Sequence, residues 1–90
     1  MQFSIVIPAY NRASELRQTL LSLSKLQVRG DWELIVVDNN STDETSRVIM
    51  EAGGDFPVDL RYVFEPSPGR SAALNAGISA AKGRIEPSLV

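Results

Sequence analysis

The sequence contains no cysteine and no histidine. That removes disulfides, thiol nucleophiles, imidazole bases and the common zinc sites. Any catalysis must use carboxylates, hydroxyls, Lys, Arg or a metal held by oxygens. Long hydrophobic runs are missing too. The first, Phe3 to Ile7, is interrupted by Ser4 and stopped by Pro8, and Leu34 to Val37 is shorter still. Both are too short for a signal peptide or a membrane span, so the chain reads as cytoplasmic, with no membrane segment of its own. Excess charge is also lacking. Nine Lys and Arg against 11 Asp and Glu give a net charge of −2, which offers no electrostatic case for nucleic acid as a partner.

What is present is a globular composition, 43% hydrophobic over 90 residues. That argues against disorder and allows one domain or a piece of one. A chain this size buries about 60–65% of its unfolded surface, so its core is thin.

Strand and helix patterns alternate along the chain. Phe3–Ile7 is short, apolar and β-branched, a strand. Leu16, Leu20 and Leu23 then fall on one helical face, with Asn11 or Ser14 as the candidate N-cap. Gly30-Asp31 breaks that pattern. Trp32–Val37 is the second strand, apolar on both faces at its end, which suits a central parallel strand. Ser41 to Glu44 has the S-x-x-E spacing of a capping box. Thr45, Val48, Ile49 and Ala52 follow as a buried stripe, ended by Gly53-Gly54. Leu60–Phe64 is a third strand, with Leu60, Tyr62 and Phe64 on one face. Arg70 to Gly83 reads as a third helix. There Leu74, Ile78 and Ala81 share a face, Ala73, Gly77 and Ala80 line a close contact, and Gly83 is the C-cap. This rhythm predicts an α/β fold with right-handed crossovers and a parallel sheet.

In such sheets ligands bind beyond the carboxyl ends of the strands. Those ends are Pro8-Ala9-Tyr10-Asn11, the polar run Asp38 to Ser41, and Glu65 to Arg70. They offer an aromatic plane in Tyr10, amides in Asn11 and Asn39, an acceptor in Asp38, a close-approach residue in Gly69, and a phosphate-suited cation in Arg70. Together these describe a nucleotide site. No G-x-G-x-x-G follows the first strand, which disfavours a dinucleotide domain, and no P-loop motif occurs. A receiver domain fails for want of an acidic pair after the first strand. Each residue has a plainer reading as well. Ser41, Thr42 and Glu44 read as helix capping, and Asp43, Glu51, Asp55 and Asp59 as solvated surface. Tyr10 reads alternatively as cover for a strand end, Asp38 as a loop acid, Arg70 as a solvated residue at a helix start, and Gly69 and Gly77 as backbone and packing devices.

The segments SIVIPAYNRASELRQTLLSL, WELIVVDNNSTDET and GRSAALNAGISAAKG, taken together, resemble the N-terminal half of the family 2 glycosyltransferases. The resemblance runs from Phe3 to Gly83. It implies the GT-A fold, a three-layer, Rossmann-like half-domain of a nucleotide-diphospho-sugar transferase, with residues 1–90 as a partial domain whose tail, 84–90, is atypical. It implies a UDP-type donor and transfer of its sugar to an acceptor hydroxyl. Pro8, Ala9, Tyr10 and Asn11 would belong to the base pocket, Asp38 and Asn39 would read the base edge, and Gly69, Arg70 and Asn75 would approach the diphosphate and sugar. Many relatives carry a second acid where this chain has Asn39. Relatives often carry Arg where Leu74 stands. A divalent metal, Mn or Mg, is expected in a full-length relative. Here Glu86-Pro87 interrupts the fourth strand and Val90 stands near the expected first metal carboxylate. No residue of the chain is therefore assigned as catalytic or metal-binding, and the chain by itself is expected to be inactive. The other functional class is a non-catalytic nucleotide-binding or scaffold domain. A first strand deprived of its outer neighbour is expected to drive self-association.

Overall fold

The computed structural model describes residues 3–25 and 31–85. Its elements are β1 (Phe3–Ala9), α1 (Ala13–Ser24), β2 (Trp32–Asp38), α2 (Thr45–Gly53), β3 (Asp59–Phe64), α3 (Arg70–Ala80) and β4 (Arg84–Ile85). The strands are all parallel, in the order β3-β2-β1-β4. The chain steps outward from β1 through β2 to β3, then returns to the far side of β1. A right-handed rule for crossovers puts outward and return helices on opposite faces. Packing agrees: Leu16, Leu20, Val48 and Ile49 of α1 and α2 cluster with Ile5, Leu34 and Val36, whereas Ala73 of α3 clusters with Val6, Ile35 and Val37. The sheet is thus the middle of three layers, as expected. Fully burying a side chain such as Ile49 stabilises by about 1.5–3 kcal/mol.

β1 runs on through Pro8, which the sequence reading placed beyond its end. The Ala9 carbonyl accepts from Asn39 N–H, on the β2 side. Alternation along the strand turns the Pro8 nitrogen the other way. There β4 pairs only with Phe3 and Ser4, so the missing donor is not needed. The tail expected to be atypical at 84–90 therefore opens as a strand, Arg84–Ile85. The readings of Glu86-Pro87, Val90 and Gly30 lie outside the described residues.

Two of the faces read from spacing are only partly covered, and one helix cap is corrected. Ile78 is 50% exposed, because α3 meets the sheet through small residues: a Cβ on Gly77 would collide with Val6 Cγ1 and stand 3.1 Å from Val37 Cγ2. Phe64, the last residue of β3, is likewise 50% exposed and does not join Leu60 and Tyr62 in the core. Gly83 is not the helix cap. α3 ends at Ala80 with Ala81 as its C-cap, and a Cβ on Gly83 would lie 2.8 Å from the Phe3 backbone.

Nothing in the sequence pattern marked Glu33, yet it is fully buried on β2. Its Oε2 accepts from the Ser4 hydroxyl and from Lys82 N–H, each at 2.7 Å. The Ser4 oxygen in turn accepts from Gly83 N–H at 2.9 Å. Arg61 Nη2 lies 3.6 Å from Glu33 Oε1, and Arg61 Nη1 donates to the Ala80 carbonyl at 2.7 Å. One carboxylate thus ties β1, β2, β3 and the turn into β4. Burial alone raises its pKa, but the Lys82 N–H, the Ser4 hydroxyl and the charges of Arg61 and Lys82 outweigh that and hold it below the ordinary 4.5. A depressed carboxyl contributes stability that is complete above the ordinary value and lost as pH falls through the folded one. Glu33→Gln keeps the size and removes the charge. It is expected to cost about 3 kcal/mol near neutral pH, the scale for breaking a buried pair. Urea unfolding checks this, and the gap from wild type is expected to narrow below pH ~4.

Candidate functional site

The three loops at the carboxyl ends of β1, β2 and β3 meet on one rim, laced together by the polar run that follows β2. Asn11 adopts a left-handed backbone, φ 48°, which asparagine tolerates. Its N–H donates to Ser41 Oγ at 3.0 Å, and its Oδ1 accepts from the N–H groups of Thr42 at 2.7 Å and Asp43 at 3.2 Å. Arg12 N–H donates to Thr45 Oγ1 at 3.2 Å and Ala13 N–H to Asp43 Oδ2 at 3.3 Å. The start of α1 is therefore served from the second loop, and neither Asn11 nor Ser14 caps it.

The capping box does not form. α2 starts at Thr45 with no side-chain cap at Glu44. Ser41 is turned to Asn11, and Glu44 pairs with Arg47 at 3.2 Å. Asp43 does the local work instead, accepting from the Thr45 N–H at 2.9 Å and from the Thr45 hydroxyl. The Thr45 hydroxyl foremost, then the N–H groups of Thr45 and Ala13, hold the Asp43 carboxyl below its usual range. Ser-x-x-Glu describes only local partners, and here partners from the neighbouring loop compete and win.

Asp38 and Asn39 bind the second loop to β3 and the third loop. Asp38 is 2% exposed. Its Oδ1 accepts from Ser41 N–H at 2.9 Å and its Oδ2 from the Tyr62 hydroxyl at 2.7 Å. Burial, then that bond and the Asp38 charge, push the Tyr62 pKa up to about 12. Asn39 Nδ2 donates to the carbonyls of Glu65 at 3.0 Å and Ser67 at 2.7 Å, while its Oδ1 accepts from Gly69 N–H at 3.1 Å.

This lacing leaves a cleft of about 620 Å³, within the range of small-molecule sites. Pro8, Ala9, Tyr10, Asn39, Gly69 and Arg70 line it, as nominated from sequence. Arg12, Asn40, Thr42, Pro66, Pro68 and Ala73 line it as well. The sequence reading had Asn40, Pro66 and Pro68 within the strand-end loops but gave them no role, and it missed Arg12, Thr42 and Ala73; Asn40, at φ 61°, is the second left-handed asparagine of the rim. Asn11, Asp38 and Asn75 are not on the cleft wall. Asn11 and Asp38 stand behind it as struts, and Asn75 is exposed further along α3. Tyr10 is 57% exposed, its ring open to the cleft. Opposite, α3 begins at Arg70 with no side-chain cap, after Gly69 at φ 110°. A second groove, about 440 Å³ with a floor of Leu20, Val48, Ala52 and Phe56, lies in the helix layer and not at the strand ends. Among the described residues no three acids gather as a metal site, and no helix is long and apolar enough to cross a membrane.

The model of the family described as glycosyl transferase family 2 matches residues 4–85. A glycosyltransferase of Nostoc sp. is 33% identical over 85 residues, 94% of this chain and 26% of that protein. Among solved structures, a mannosyltransferase from Pyrobaculum calidifontis in complex with GDP-Man and Mn2+ superposes with a TM-score of 0.83 at 27% identity, over 90% of this chain and 24% of that one. Glucosyl-3-phosphoglycerate synthase from Mycobacterium tuberculosis in complex with UDP gives 0.71 at 26% identity, over 91% and 30%. The chain therefore spans about a quarter of the length of such relatives.

The Asp38–Tyr62 bond makes a test of its own. Tyr62→Phe is expected to cost about 1.5–3 kcal/mol, the scale of a hydrogen bond to a charged group. A tyrosine held neutral contributes stability that is present below pH 10 and lost as pH rises through about 12. Denaturant melts at neutral and alkaline pH are expected to show the wild type losing this advantage over Tyr62→Phe only at the alkaline end.

Proposed function

The chain belongs to glycosyl transferase family 2, and we propose that it forms the donor half of such an enzyme. It binds the nucleotide of a UDP-type nucleotide-diphospho-sugar, whose sugar passes to an acceptor hydroxyl. In that transfer the bond from the sugar's anomeric carbon to the diphosphate breaks. A bond to the acceptor oxygen forms, and the acceptor gives up its proton. One observation carries the reading: a ligand-sized cleft at the strand ends has an open tyrosine ring on one wall and an arginine at an uncapped helix start on the other. A ring face suits a base, and a cation beside free helix amides suits a diphosphate. Arg at a helix start opposes the macrodipole unless an anion is near.

In this reading Pro8, Ala9 and Tyr10 wrap the base, with Tyr10 stacking on it. Asn39 meets the base edge with the acceptor capacity that Gly69 leaves on Oδ1. Gly69 lets the phosphates approach, Arg70 and Arg12 hold them, and Asn75 lies towards the sugar. Asp38 and Asn11 act indirectly, by building the walls. A divalent metal, Mn or Mg, belongs to the reading for a full-length relative. The described residues do not converge as its ligands, so none is assigned to it. The cytoplasmic setting read from the sequence is part of the same proposal. So is self-association, since beyond Ser4 the outer edge of β1 has no strand partner among the described residues.

Calorimetric titration of the purified chain with UDP is expected to give a millimolar dissociation constant, roughly −4 kcal/mol, little changed by Mn2+ or Mg2+. Tyr10→Ala is expected to weaken binding several-fold and leave the melting temperature nearly unchanged, because the ring is largely exposed. Asp38→Ala, by contrast, is expected to lower stability as well, because that carboxylate is buried and bonded. Failure of UDP to bind at millimolar concentration, or sugar transfer by this chain alone, would sink the corresponding half of the reading. Light scattering tests association: a dimer or larger species is expected at micromolar concentration, and a clean 9.8 kDa monomer overturns it.

A further inference from the structure

We propose that Asn39 is the latch of the cleft: its amide holds the Glu65–Gly69 wall in binding shape before any ligand arrives, a positioning role that it plays beside its contact with the base edge. The inference rests on the donor-binding reading of that cleft. Its observation is a loop that cannot hold itself. Pro66 and Pro68 have no N–H to donate. Ser67 N–H is turned to the loop's own Glu65 carboxylate at 2.8 Å, and Glu65 N–H goes to the Asp38 carbonyl at 2.9 Å. Two carbonyls, of Glu65 and Ser67, and one amide, of Gly69, are answered by Asn39 alone among the bonds described. Both Nδ2 hydrogens are donated and Oδ1 accepts, which uses the amide's donors completely and fixes which way it is turned. The side chain is 7% exposed, so water competes poorly for these bonds.

The latch also sets the start of α3. Gly69, held through its N–H, is the residue before the helix, and its φ of 110° aims the chain into Arg70. Release of Gly69 frees the helix start together with the arginine on the cleft wall.

Only an amide does this at every pH. A carboxylate of the same size would set its oxygens against the Glu65 and Ser67 carbonyls with nothing to donate. Once protonated it recovers one O–H donor and keeps an acceptor for Gly69. Asn39→Asp therefore turns a permanent latch into a proton-operated one. The ionisable groups around position 39 are few. Asp38 is turned to Ser41 N–H and the Tyr62 hydroxyl, Glu65 to Ser67 N–H, and Arg12 and Arg70 stand on the cleft wall. Among the described residues no cation bonds to Asn39.

The test uses the whole chain and reads amide exchange and UDP affinity together. In wild type the Gly69 amide is expected to be protected, with a protection factor and a UDP affinity that hold steady from pH ~5 to 7.5. In Asn39→Asp near pH 7.5, Gly69 protection and UDP affinity are each expected to fall about tenfold or more, the scale of unmet buried hydrogen bonds. Both are expected to recover as the pH is lowered to ~5. Asn39→Ala is expected to lose both without recovery. Protection of the Ile35 amide, in the centre of β2, reports that each variant is folded. Full Gly69 protection in folded Asn39→Asp near pH 7.5 overturns the latch, as does lost protection with undiminished UDP affinity. A wild type that protects Gly69 yet binds no UDP overturns the donor reading instead, and the exchange data still decide whether the loop is held by Asn39.

Discussion

Glu33 and Asp38 lie on one strand, and neither carboxylate reaches water. A charge taken out of water is tolerated only with partners, so β2 dictates what must surround each of its ends. At the amino end Glu33 requires partners: Ser4 and Lys82 donate to it from β1 and the turn after α3, and the Arg61 charge stands 3.6 Å away on β3. At the carboxyl end Asp38 draws in Ser41 and Tyr62. A strand anchored in this way at both ends fixes where its neighbours sit, and the apolar middle, Leu34 to Val37, fills the space between the helix layers.

The site follows from the carboxyl end of that strand. Asn11, Asp38, Asn39, Ser41 and Asp43 make their hydrogen bonds to other parts of the chain, within their own loop, to the neighbouring loops and to β3. On the cleft they leave open the Tyr10 ring, Arg70 and Arg12, and the uncapped start of α3. This division of labour is physically sensible. Walls built by satisfied polar groups are rigid, and a rigid site loses less entropy on binding.

The order of elements, their type, the parallel sheet and the three layers were legible because hydrophobic spacing is a local signal. The loops that line the cleft were legible too, since a parallel sheet always presents its strand ends together. Side-chain roles within those loops were not. Asp38 and Asn11 look like ligand groups by type and place, and their side chains bond to neighbouring parts of the rim. Asp43 looks like surface and serves two helix starts. Glu33 looks like an ordinary polar residue at a strand start and is fully buried.

The sequence by itself determined the alternation of strands and helices, the apolar faces, the absence of thiol and imidazole chemistry, and the rim on which the strand-end loops gather. Those depend on residue type and on spacings of a few residues. Only the tertiary structure decided which polar groups face the cleft and which hold it together. The bonds that settle this join residues 30 apart, as Asn39 and Gly69, or 79 apart, as Ser4 and Gly83. A buried polar group must find a partner wherever the fold brings one, and no local pattern records which distant residue that will be.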